Sequence, residues 1–131
     1  MRSRLLALAS ALALALGGLV LLPATPALAD PAHCSQFGTH PDLYNGGGIS
    51  FANGTNMRTG VYTDCTSVGE GFPSQGINVH CGRVNSNNFL WLYVVDTSTG
   101  RQGWARFDAL NYSFTVVVPD CRNNGTVYII G

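Results

Sequence analysis

Leu90-Trp91-Leu92-Tyr93-Val94-Val95-Asp96-Thr97-Ser98-Thr99-Gly100-Arg101-Gln102-Gly103-Trp104-Ala105-Arg106-Phe107 reads as two strands joined by a tight turn. Six consecutive apolar residues form the first strand, Asp96 to Gly100 supplies the turn chemistry, and the return strand starts at Gln102. Side chains alternate across a strand, so Leu90, Leu92, Val94 and Ala105 are expected to face a core. Trp91, Tyr93, Val95, Trp104 and Arg106 then point to the opposite face. Such a face is either an open aromatic patch or one covered by another part of the chain.

Working outward, Ile77-Asn78-Val79-His80-Cys81 also alternates, which predicts Ile77, Val79 and Cys81 inward and Asn78 with His80 outward. Short strands are expected at Ile49 to Phe51 and Thr55 to Thr59, with Asn53-Gly54 turning the chain between them. Residues 60–76 read as one long loop pinned by Cys65, and Arg83 to Asn88 as a polar connector. Asp108-Ala109-Leu110 reads as a single helical turn. Two further strands, Phe114 to Val118 and Thr126 to Ile130, flank Pro119-Asp120-Cys121 and an Asn124-Gly125 turn. No window carries a sustained helical period with caps, so the fold class is all-β.

From Thr55 to Leu110 the order is strand, long loop, strand, connector, strand, hairpin, strand, helical turn. In that order the chain resembles the bacterial SH3-like (SH3b) family. The resemblance rests on Met57-Arg58-Thr59-Gly60, on Val68 and Gly71, on Ile77-Asn78-Val79, on Trp91 with Leu92 and Val94, and on Gly103-Trp104 ahead of Leu110. It covers about half of the exported chain. Val61 stands where the family often has proline, and some twenty residues follow the point where the family barrel usually ends. The resemblance implies a small SH3-like barrel at 55–111, with an N-terminal extension at 30–54 and extra C-terminal strands at 112–131. It also implies a bacterial envelope setting, with cell-wall glycan or peptide as the ligand.

Arg2 and Arg4 precede an Ala/Leu run to Leu22, followed by Pro23, Pro26 and Ala27-Leu28-Ala29. That is the pattern of a signal peptide over residues 1–29, and it predicts a secreted protein, free of the membrane after cleavage, in the extracellular space or cell wall. Residues 30–131 carry all four cysteines, Cys34, Cys65, Cys81 and Cys121. An even count in a small exported chain predicts two disulfides. The expected pairs are Cys65 with Cys81 and Cys34 with Cys121, the second tying the two ends together. The absence of C-x-x-C or H-x-x-x-H spacing argues against a metal, and no cofactor is expected.

The exported part has five arginines, no lysine and seven carboxylates, a formal charge of −2. Its arginines are scattered singly, which argues against nucleic acid as partner. His33, His40 and His80 are separated, Glu70 is the only glutamate, and disulfides would remove the thiols, so no enzyme activity is expected. The expectation is a monomeric, secreted binding module. Its ligand would be peptidoglycan or an extracellular protein or peptide, met by Tyr62, Trp91, Tyr93 and Trp104, whose rings each offer a flat apolar face. The competing expectation is burial of the two tryptophans beneath residues 34–51 and 114–130. Another is an inhibitor or interaction factor presenting loop 60–76, braced by Cys65–Cys81, in which substitution at Val61 or Phe72 should abolish activity.

Overall fold

A computed structural model describes residues 29–35 and 40–131. The signal-peptide expectation therefore lies, but for its last residue, outside the described residues. Strands β1 (Ile49–Phe51), β2 (Thr55–Arg58), β3 (Ser67–Gly71), β4 (Ile77–Val84), β5 (Leu90–Asp96), β6 (Gln102–Arg106), β7 (Leu110–Tyr112), β8 (Val116–Pro119) and β9 (Val127–Ile130) make the protein all-β. A 3₁₀ turn at Ala32–Ser35 precedes them, and another at Phe107–Ala109 lies between β6 and β7. Five strands form an antiparallel sheet in the order β3-β2-β6-β5-β4, while β1 pairs with β7 and β8 with β9.

The β5–β6 hairpin follows from its turn residues. The buried Asp96 carboxylate accepts the backbone N–H groups of Ser98 (2.8 Å) and Thr99 (3.3 Å) and the Thr99 hydroxyl (2.8 Å). Gly100 turns the chain at φ +75°, a conformation costly for other residues. These bonds set the register Trp91 opposite Arg106 and Tyr93 opposite Trp104. Gly103 is fixed by close approach, since a Cβ there would lie 2.8 Å from the backbone oxygen of Arg58 on β2.

One face of the large sheet carries the main core. Met57, Val79, Leu92, Val94 and Ala105 pack there against Ile49, Phe51 and Leu110 of the β1–β7 ribbon and against Val116 and Val118 of β8. The inward placement of Leu90, Leu92, Val94 and Ala105 follows the alternation. Two local expectations do not hold. The stretch 60–76 is interrupted by β3, which pairs with β2 and forms the sheet edge. At Cys81 the alternation breaks: Val79 sits opposite Val94 and Cys81 opposite Tyr93, so His80 is an extra residue in β4. This bulge rotates Cys81 to the face opposite Val79, whereas strict alternation had put both on one side.

That rotation decides the disulfides. Cys81 bonds Cys121 and Cys34 bonds Cys65, correcting the expected pairs. Each disulfide ties a terminal segment to the body of the fold: Cys34 joins the N-terminal segment to the loop after β2, and Cys121 joins the C-terminal segment to β4. Gly60 explains part of this, because a Cβ on it would lie 2.6 Å from the Cys34 Cα and carbonyl oxygen. Two disulfides fit an oxidising, extracellular environment.

The C-terminal hairpin is anchored through Asp120, which is fully buried. Its carboxylate accepts Nε and Nη2 of Arg122, each at 2.8 Å, the Arg122 backbone N–H at 2.8 Å, and the Tyr128 hydroxyl. Burial alone would push this carboxyl up. The Arg122 side-chain bonds, the Tyr128 bond and the Arg122 N–H together outweigh burial and hold it well below the usual carboxylate range. With the folded value depressed, this contribution is complete above the unfolded pKa of about 3.9 and is lost as pH falls below it. Asp120→Asn, which would turn a second donor toward Arg122, is expected to cost about 2–3 kcal/mol at pH 7. Urea unfolding measured from pH 7 to pH 3 should show a shallower acid loss for this variant than for the wild type.

Candidate functional site

The second face of the large sheet is where the aromatic residues gather. Trp91 and Trp104 are 2% and 1% exposed, packed with Val61, Cys81 and Cys121, while Leu43, Tyr62 and Tyr93 close the margins. The face is therefore covered. The cover is the expected one in part: His40 and Leu43 from 34–51 and Cys121 from 114–130 pack on it, joined by Val61 and Tyr62, whereas β8 joins the main core on the other side of the sheet.

Individual contacts fix this layer. His40 stacks flat on Tyr93, ring centroids 3.8 Å apart and planes within 5°, and meets Trp104 edge-on at 5.3 Å. Tyr93 meets Trp104 edge-on at 5.4 Å, and burial pushes the Tyr93 hydroxyl pKa up. His80 is only partly exposed, with Nδ1 3.0 Å from the His40 carbonyl oxygen and its ring against Tyr93. Asn85 donates to the Val61 carbonyl at 2.7 Å, which ties the covering loop to the turn between β4 and β5. The Tyr62 hydroxyl lies 3.0 Å from the Ser86 hydroxyl.

The N-terminal segment is held by two acidic residues. Asp30 accepts from the Thr59 and Thr66 hydroxyls, each at 2.5 Å, and from the Thr66 N–H at 2.9 Å. These bonds, Thr59 first, hold its carboxyl below the ordinary value. Asp64 lies 3.0 Å from His33 Nε2, and this contact lowers its pKa as well. The possible ligand atoms of His33, Cys34, Asp64 and Cys65 fall within 4.8 Å of one another, but the disulfide occupies both sulfurs.

Where the cover stops, the layer opens into a cleft of about 210 Å³ lined by Asn56, Arg58, Thr63, Trp91 and Arg106, among others. Strand register builds it. Trp91 and Arg106 are cross-strand partners, and Arg58 on β2 is partnered with Trp104 on β6. Arg58 Nη1 donates to the Cys65 carbonyl at 2.8 Å, and Arg106 Nε donates to Asp108 at 2.5 Å while its guanidinium lies 5.0 Å from the centre of the Phe89 ring. Trp91 Nε1 is the only buried side-chain nitrogen or oxygen among the described residues without a hydrogen-bond partner.

Of the four aromatic residues expected to meet a ligand, Trp91 alone lines this cleft. Tyr62 and Tyr93 are half-buried at the margins, and Trp104 lies within the layer. Arg58 and Arg106 were legible as a motif residue and as an outward-facing strand residue. Asn56 and Thr63 carried no sequence signal. Of the two loop positions expected to matter in an interaction loop at 60–76, Val61 is fully buried, while Phe72 stays exposed in the turn after β3. A second, more open groove of about 360 Å³ runs between Tyr44 to Gly47 and Phe114 to Val117. No protein-family model, curated protein or solved structure matches this chain.

Proposed function

We propose that this is a secreted, non-enzymatic SH3-like binding protein that acts at or outside a bacterial cell envelope and engages cell-wall peptide or glycan. The observation that carries the reading is the cleft beside Trp91, where an aromatic wall meets the guanidinium groups of Arg58 and Arg106. The SH3-like assignment draws support from the five-stranded antiparallel sheet and from the 3₁₀ turn placed just before the short β7. All four cysteines are disulfide-bonded, which supports a role without thiol chemistry. Two disulfides and an export signal support action outside the cell.

Co-sedimentation with purified peptidoglycan tests this reading. The wild type should be retained, and Arg106→Gln, at a half-exposed position, should reduce retention about tenfold, as loss of one charge-assisted contact would. A wild type that stays in the supernatant sinks the wall-binding function.

A further inference from the structure

We propose that the cleft binds a carboxylate group, held between Arg58 and Arg106 and completed by the indole N–H of Trp91. The inference rests on the binding reading above and names the chemistry of that site. Three observations converge on it.

The first is the unpaired donor. A buried indole N–H left without an acceptor is costly, and buried Trp N–H groups ordinarily find a partner. Trp91 is 2% exposed, lines the cleft, and has an Nε1 without a partner. Indole can only donate, so what completes the site must be an acceptor.

The second is the pair of guanidinium groups. Each has five N–H donors in a planar fork that matches a carboxylate. Arg58 commits one donor to the Cys65 carbonyl and Arg106 one to Asp108, so each fork retains donors for a ligand. Asp108 and Asp64 are the nearby acids: the first is bonded to Arg106, and the second has its pKa lowered in part by Arg58. Neither lines the cleft. The Arg106 side chain is 36% exposed. It can therefore swing to admit an oxygen atom to the shielded indole.

The third is size. The cleft, at about 210 Å³, is smaller than the roughly 300–1,000 Å³ of pockets that engulf a drug-sized molecule. It suits one terminal group with a small neighbour. Asn56 and Thr63 offer side-chain polar groups for that neighbour.

The test follows the Trp91 indole N–H resonance in ¹⁵N-labelled protein, assigned by its loss in Trp91→Phe. Titration with N-acetyl-alanyl-alanine should shift this signal in a saturable way, and the C-terminal amide of the same dipeptide should not. Glucuronic acid is the parallel arm: a response to it alone assigns the carboxylate to a sugar acid, and a response to the dipeptide assigns it to a peptide terminus. Either supports the proposal. Arg106→Gln and Arg58→Gln should each weaken the responding probe about tenfold or more.

An indole signal that ignores both acids, or responds equally to the dipeptide amide or to chloride, overturns the proposal. Retention on peptidoglycan with a silent indole would leave the binding function standing without this carboxylate site. An indole response without retention would do the reverse.

Discussion

Cys81→Ala/Cys121→Ala is expected to lose about 4 kcal/mol of unfolding free energy, by the chain-entropy estimate for a loop of this length. The bridge closes a separation of 40 residues, against 31 for Cys34–Cys65. It does more than restrict the unfolded chain. Both sulfurs lie inside the aromatic layer with Trp91, Trp104 and Val61, so the double alanine variant also leaves a gap where packing was tight. Beyond the bridge, β4 and the C-terminal segment are linked through the Gly82–Asp120 bridge and the Cys121 N–H to the Gly82 carbonyl, at 3.0 Å. Denaturant unfolding of the variant, compared with Cys34→Ala/Cys65→Ala, measures both losses.

Peptide mapping checks the pairing itself. Cleavage after every arginine and after Glu70 separates Cys65 from Cys81, because Glu70 is the only glutamate in the chain. The Cys34 peptide should then emerge joined to 59–70, and 71–83 joined to 107–122. A bridge between 59–70 and 71–83 would restore the Cys65–Cys81 pairing and overturn the observed one.

Trp104→Ala should cost about 3–5 kcal/mol, the range for truncating a buried large aromatic. The residue is 1% exposed, with His40 and Tyr93 edge-on against it. Were its face an open groove, truncation would remove little buried area and shift stability by about 0.5 kcal/mol or less. The two arrangements thus differ by several kcal/mol in one urea titration. Small domains have roughly 5–15 kcal/mol in total, so the variant should be measured at low temperature, where a folded baseline survives. A midpoint close to the wild type would show that the second layer does not cover Trp104.

Much of the strand pattern could be read locally. The Asp96 to Gly100 turn, the core-facing Leu92, Val94 and Ala105, the turn at Asn53-Gly54 and the helical turn, expected at Asp108 to Leu110 and found at Phe107–Ala109, depend on neighbours a few residues away. Short-range chemistry writes these into the chain. β3 and β7 escaped notice because Ser67–Gly71 contains two glycines and Leu110, the first residue of Leu110–Tyr112, was assigned to the helical turn. Their strand character comes from the partners β2 and β1.

By itself, then, the sequence determined an all-β protein with two disulfides and a sheet with aromatic residues on the face away from Leu92 and Val94. Only the tertiary structure decided which cysteines meet, what covers the tryptophans, and that Arg58, Arg106 and Trp91 share a cleft. A bulge at His80 reverses which side Cys81 faces, and a covering loop is chosen by contacts between residues far apart in the chain. Alternation says which side of a strand a residue occupies. It carries no information about which distant segment comes to lie there, because that choice minimises the exposed apolar surface of the whole molecule.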